Sequence, residues 1–414
     1  MPTPPPTIVF RAAALCDATG QQARPGTVVV RRGRILAAGP SDQVEAHRYE
    51  HTTLCTLEDR LILPGMVNAH CHLDLNDFGT IPYKESFVAW IRSIQTQRCT
   101  DAAKIDRIVT QAAHAAHAAG VVAVGDIAAA ATAASARDAL ERSPLIGVSF
   151  EEQIGSTVET TSPTASTTSP ADRHGIRHGL QPHAPYSTAP AIYRHAASMR
   201  SDHGIPVATH LAELPEEVEF VRDASGPFRA LLESLGRWNE AYASHYGHGQ
   251  HPVDWMAPHL RRGPWLLAHV NLLHDAHIPL LAACGASVAY CPVASDYFGH
   301  RRHRYRELLA AGVNVCLGTD SILCQDAVEA QPLGILPQMR YLYQRDGTDP
   351  STLLAMATTR GAHALGLPAG TATLLPGARA DLYTIRINPD DPTDAMTQAL
   401  NATTPVKPIE EPGD

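Results

Sequence analysis

Residues 63–74 read LPGMVNAHCHLD. A Pro64-Gly65 break precedes a mostly apolar run that ends in His70-Cys71-His72. Side chains alternate along a strand, so the two imidazoles face one side and Cys71 the other. Two ring nitrogens on one face can grip a single ion. The chain carries 22 histidines in 414 residues, enough for about one His-x-His by chance, so the pair has to be judged by its surroundings.

Those surroundings divide at Pro64. Before it, the segments TIVFRAAAL, TVVVRRG and RILAAG are separated by the turn residues Gly20, Pro25-Gly26 and Gly39-Pro40, which predicts an all-β start. After it, strand-like runs alternate with Ala-rich or amphipathic helical stretches. The runs fall at 61–70, 121–128, 145–155, 177–187, 206–213, 264–273, 286–292 and 314–321, eight in all. Alternation of this kind means parallel strands joined by crossover helices, and eight units suggest closure. The expected fold class is therefore α/β: a (β/α)8 TIM-like barrel with a small composite β-sandwich domain formed by the N- and C-terminal segments.

Residues 1–63 and 367–395 are expected to form the small domain, the latter through GTATLLPGARADLYTI at 370–385, and 64–366 the barrel. The Pro-rich polar residues 396–414 read as a flexible tail. Two stretches interrupt the rhythm. Ser156–Pro170 is Ser/Thr/Pro-rich without an apolar period and reads as a surface loop. Residues 214–263 are too long for a simple connection and read as a lid or specificity segment, with His245, His248 and His251 in its solvated part.

Composition narrows the function. The formal charge is −9, and the three lysines, Lys84, Lys104 and Lys407, form no basic cluster, which argues against nucleic-acid binding. No uncharged apolar run approaches the roughly 20 residues of a membrane span, and the N-terminus lacks a basic segment followed by an apolar one. The eight scattered cysteines form no CxxC pair and read as reduced thiols, Cys71 as packing. A cytoplasmic protein with a small-molecule partner is expected; homodimerisation is left open.

In a barrel, strand C-termini converge on one mouth. His70 and His72 end the first strand, His183 the fourth, His210 and Glu213 the fifth, His269 the sixth and Asp320 the eighth. Metal-capable and acid/base side chains at so many strand ends point to a metal site. The strings LPGMVNAHCHLD, PHAPYS, THLAE, AHVNLL, CPVASDYFGH and LGTDS, in this order and over nearly the whole chain, resemble the amidohydrolase superfamily. They are most similar to its aminohydrolase and chlorohydrolase branch, the cytosine deaminase-like, ATZ/TRZ-type proteins. TVVVRRGRILAAGP and GARADLYTI resemble that branch's small β domain.

The resemblance implies a mononuclear metal-dependent aminohydrolase. His70, His72, His210 and Asp320 would bind one divalent ion per subunit, zinc before iron. Glu213 would be the general acid/base, His269 would orient the attacking water, and Asp320 would also accept a proton. His183 would touch substrate, and Trp90 and His300 are placed beside it as further substrate contacts. Binuclear members bridge two metals with a carboxylated lysine, and no lysine stands between Lys104 and Lys407. Independently, three imidazoles and a carboxylate leave a coordination position open, where a metal lowers the pKa of water from about 15.7 towards about 7. The target would be an amino-bearing ring carbon of a nucleoside- or purine-like heterocycle, and the product ammonia. Cyclic-amide hydrolysis and triazine dechlorination are the alternatives, followed by a His-x-His phosphoesterase and a non-catalytic metal-binding relative. The chain departs from the branch at CPVASD, at SILCQDAVEA after Asp320, and at Asp74, where several relatives have Glu.

Overall fold

The computed structural model describes residues 6–84, 86–155, 175–326, 328 and 330–409. The loop expected at 156–170 lies outside the described residues. The β-branched N-terminal segments form β1 (Thr7–Cys16), β2 (Gln22–Ala23), β3 (Gly26–Arg31), β4 (Arg34–Pro40) and β5 (Thr52–Pro64). β1 runs antiparallel to β3 and parallel to β5. The chain then passes directly into the barrel through Gly65, where a Cβ would meet Val122 Cγ1 at 2.1 Å. Only glycine permits this close approach.

Two parallel four-stranded sheets follow. One contains β6 (Met66–Cys71), β7 (Val121–Ala129), β8 (Ile146–Gln153) and β9 (Ile176–Pro182); the other contains β10 (Ala208–Leu211), β11 (Leu266–His269), β12 (Ser287–Tyr290) and β13 (Asn314–Leu317). Single parallel bridges join both seams, Leu180 with Val207 and Cys71 with Asp320. The eight strands thus neighbour one another in chain order around a ring. Val67, Ile127, Val148, Phe150, Leu266 and Cys316 belong to one buried cluster drawn from its strands, the layered filling such a ring needs. Helices cover the outside through apolar stripes. The helix Ala102–Ala118 buries Ile105, Ile108, Val109, Ala112 and Ala116, a spacing of three and four residues that lines up one face.

The seam between β6 and β13 is held by side chains as well as backbone. Asn68 Nδ2 donates to Thr319 Oγ1 at 2.8 Å, and Thr319 N–H donates to Asn68 Oδ1 at 3.1 Å. Both residues are fully buried. Past the barrel, β14 (Leu382–Arg386) returns to pair antiparallel with the end of β5, Leu382 opposite Pro64 and Arg386 opposite Arg60. One hydrogen-bonded path therefore unites the N- and C-terminal segments.

The flexible tail expected at 396–414 is corrected over its described part. Ala395–Asn401 is a helix that buries Ala395, Met396, Ala399 and Leu400, with Asp394 capping Thr397 N–H, and β15 (Lys407–Pro408) pairs with β14. A short amphipathic stripe inside a Pro-rich, polar context carried the structure there. Residues 214–263 fold into four short helices, Pro215–Asp223, Gly226–Ser234, Glu240–Ala243 and Pro252–Leu260. His251, expected in a solvated loop, is buried and caps the last of them by accepting from Val253 N–H at 3.2 Å.

Asn68→Ala would break both links of the seam and strand a buried N–H. Denaturant unfolding should show a loss of about 2–4 kcal/mol. An unchanged midpoint would mean the seam does not depend on this pair.

Candidate active site

The strand ends turn sharply inward, and the backbone is strained where they do. Ala212 (φ 49°), His269 (φ 69°), Val270 (φ 54°) and Asp320 (φ 60°) are left-handed without being glycine. Such conformations cost about 1–3 kcal/mol each and cluster at functional sites. At Asp320 the surroundings fix the geometry. Asp320 N–H donates to His70 O at 3.0 Å, and His72 N–H donates back to Asp320 O at 3.1 Å. Gly318 makes the approach possible, since a Cβ there would lie 2.8 Å from His70 O. At the fifth strand, the Glu217 carboxylate accepts from Ala212 N–H and Glu213 N–H, both at 2.9 Å, a turn that aims Glu213 into the mouth.

These strand ends gather five ligand-type groups. One donor atom from each of His70, His210, His269 and Asp320 lies within 4.8 Å of the others, and all four residues are buried. His72 stands beside them, its Nε2 3.5 Å from Asp320 Oδ1 and its ring 5.2 Å from that of His70. All four residues expected as ligands are therefore brought together, but the tightest group takes His269 in place of His72.

The donor set suits a divalent cation. His70 Nδ1 and Nε2 and His72 Nδ1 are buried with no hydrogen-bond partner, an arrangement that costs about 1–3 kcal/mol per group unless an ion satisfies it. His210 Nδ1 lies 3.0 Å from His183 O. Donation to that carbonyl leaves Nε2 as the free lone pair, the usual second contact of a ligating histidine. Cys324 Sγ lies 3.2 Å from Ser321 O and 3.4 Å from Asp320 Oδ2, and Oδ1 faces His70 and His72.

Burial sets the charges. It drives His72 and His269 down to about 3 and His210 well below its usual range, so these rings are neutral. Burial opposes ionisation of Asp320, yet the surrounding imidazoles, His70 foremost, outweigh it and hold the carboxyl well below the carboxylate range. Glu213 goes the other way. Burial first, then Asp320 and Glu217, push it well above 4.5, which favours its neutral form. Its Oε1 lies 3.6 Å from His269 Nε2. A neutral acid thus stands beside an ionised carboxylate, the division of labour that acid/base chemistry requires.

A cavity of about 130 Å³ opens from this cluster. His183 and Trp90 line it as expected, Trp90 held by an Nε1–H bond to Tyr297 Oη at 3.1 Å. His300 is not among its lining residues, whereas Phe298 is. The segment 214–263 contributes Leu231, Leu232, Leu235 and Arg237 to the wall.

Three contributors were missed from sequence: Arg98, Glu152 and Cys324. Arg98 Nη2 binds Asp74 Oδ2 at 2.9 Å and Nη1 binds Glu152 Oε2 at 2.8 Å. Glu152 sits at the end of the third barrel strand, so the strand-end criterion could have found it. Nothing in the local pattern marks Arg98.

A family model described as "Amidohydrolase family" matches residues 61–409. The chain belongs to the amidohydrolase family. It is 26% identical over 369 residues to an aminodeoxyfutalosine deaminase of Deinococcus radiodurans, covering 83% of this chain and 82% of the relative. Helicobacter pylori aminofutalosine deaminase superposes with a TM-score of 0.78 at 20% identity, over 98% of this chain and all of that one (100%). A zinc-bound adenosine deaminase from Xanthomonas campestris gives 0.73 at 21% identity, over 97% and 90%.

The buried histidines predict a pH dependence. Among the described residues ten are lowered from 6.5, against three raised carboxyls, Asp126, Glu213 and Glu217. Each histidine withholds a proton that the unfolded chain binds. Its stability contribution is full above about 6.5 and is lost as pH falls towards the folded values; the carboxyls act oppositely but are outnumbered. The metal-free protein should have a lower urea midpoint at about pH 5 than at about pH 7.5. An equal or higher midpoint at the acid end would contradict neutral burial.

Proposed function

We propose that this chain is a mononuclear, zinc-dependent aminohydrolase that deaminates aminopurine nucleosides. The observation that carries the reading is the buried Glu213 carboxyl, 3.6 Å from His269 Nε2 and next to a cluster of imidazoles around Asp320. The names of the Deinococcus relative and of the zinc-bound Xanthomonas neighbour support the substrate class and the metal. The absence of lysine between Lys104 and Lys407 supports a single ion, since no residue there can be carboxylated to bridge a second. Eight free thiols, and no described helix long and apolar enough to cross a membrane, support a cytoplasmic setting.

His70, His72, His210 and Asp320 would hold the ion, with His269 beside them. When bound, it supplies Lewis acidity that makes a water nucleophilic near neutral pH. The chain's own groups do the rest. Glu213 delivers its proton to the ring nitrogen next to the amino-bearing carbon, which makes that carbon electrophilic, and recovers a proton from the attacking water. His269 orients that water, and Asp320 takes the second proton and passes it to the leaving amine. One C–N bond breaks, one C–O bond forms, and ammonia leaves. Glu213, His269 and Asp320 are themselves buried, which strengthens each of these charges.

Glu213→Gln should lower kcat for adenosine deamination by about 10²–10⁴-fold, read as ammonia release, while the bound metal per chain stays unchanged. Unchanged turnover would refute the proton-transfer role. Chelation should abolish ammonia release, and zinc should restore it. Chloride release from chlorotriazines without ammonia from any aminopurine would overturn the deaminase reading.

A further inference from the structure

Beyond the reacting centre, the cavity contains a carboxylate that the chemistry does not use. Glu152 lies at the C-terminal end of β8, 4% exposed, and lines the cavity. Arg98 Nη1 holds its Oε2 at 2.8 Å, while the other arm of Arg98 is bound to Asp74. Asp74 is itself pinned, its Oδ2 also accepting from Ala129 N–H at 3.3 Å. Both terminal nitrogens of the guanidinium are thus engaged, and two carboxylates share one positive charge. This part of the cavity wall presents a hydrogen-bond acceptor.

The second oxygen of Glu152 is unmatched. Among the described residues its Oε1 has no hydrogen-bond donor; the nearest is His183 Nε2 at 3.8 Å, beyond bonding range. His183 is fixed from its other side, Nδ1 to Ser187 Oγ at 2.6 Å, and the Ser187 hydroxyl donates to Ala184 O at 3.1 Å. His183 Nε2 and Glu152 Oε1 thus stand side by side in the cavity wall. His183 also touches the ion cluster, its ring 4.9 Å from that of His210, so Glu152 lies one residue further out than the reacting centre. Around it the wall is apolar, with Trp90, Ile154, Leu231 and Leu235. A purine nucleoside has its amino-bearing carbon at one end and its sugar at the other, and the only donors on the sugar are hydroxyls.

We infer that Glu152, clamped by Arg98, reads the sugar: its Oε1 accepts a ribose hydroxyl, so the substrates are ribonucleosides rather than free bases or deoxynucleosides. This rests on the deaminase reading and deepens it. Arg98 is a positioning residue, and Asp74 holds it in turn. A site built to bond a hydroxyl rejects the analogue that lacks it, because its buried acceptor is then left bare.

The test compares kcat/KM for adenosine, 2′-deoxyadenosine, 3′-deoxyadenosine and adenine on the zinc-loaded full chain, for wild type and Glu152→Gln. Wild type should prefer adenosine over at least one deoxy analogue, and over adenine, by about 10²-fold or more. Glu152→Gln should bring the adenosine-to-deoxyadenosine ratio towards one, a change that a loss of folded protein cannot mimic because it scales all substrates alike. The wild-type ratio stands without any variant. Equal rates on ribo- and deoxynucleosides would overturn the inference and leave the deaminase reading intact. No ammonia from any of the four would instead count against the reading beneath it.

Discussion

One buried carboxylate organises this molecule. Asp320 is 7% exposed, in a left-handed conformation, and ringed by imidazoles. An ionised group in that position is unstable unless opposite charge compensates it. The structure commits several elements to holding it: the backbone exchange with His70 and His72, the Gly318 approach, and the Cys324 thiol on Oδ2. The Asn68–Thr319 link one residue upstream ties the same point to the barrel seam. Fold closure and site assembly are therefore the same event, since the first and eighth strands meet at the residue that the site needs.

Around Asp320 the carboxyl groups differ in charge for reasons visible in their neighbours. Glu213 has only acids and neutral rings nearby and keeps its proton. Burial works against Glu152, but Arg98 wins and lowers it to about 2. Asp126, with burial and Asp74 against it and no direct cation, is pushed up to about 7. The charge of each carboxyl thus follows from what faces it.

Much of this was legible in the sequence, and the limits have physical causes. The strand ends were visible because a barrel strand must be apolar on both faces, so His70, His210, His269 and Asp320 stood out against their runs. The resemblance added order and roles. Arg98 could not be seen, because it reaches the site from the end of a helix by a long side chain, and no local period records that reach. The tail was misread because four apolar residues in a helix of seven give little signal beside prolines.

The claim on which the rest depends is that imidazoles and a single carboxylate share one cation in this barrel mouth. X-ray absorption at the zinc edge of the metal-loaded chain tests it most directly. The account predicts one zinc per chain, with nitrogen and oxygen scatterers at about 2.0–2.2 Å and the multiple-scattering signature of several imidazoles. A sulfur shell near 2.3 Å, drawn from Cys71, Cys291 or Cys324, or a second metal in close range, would contradict it.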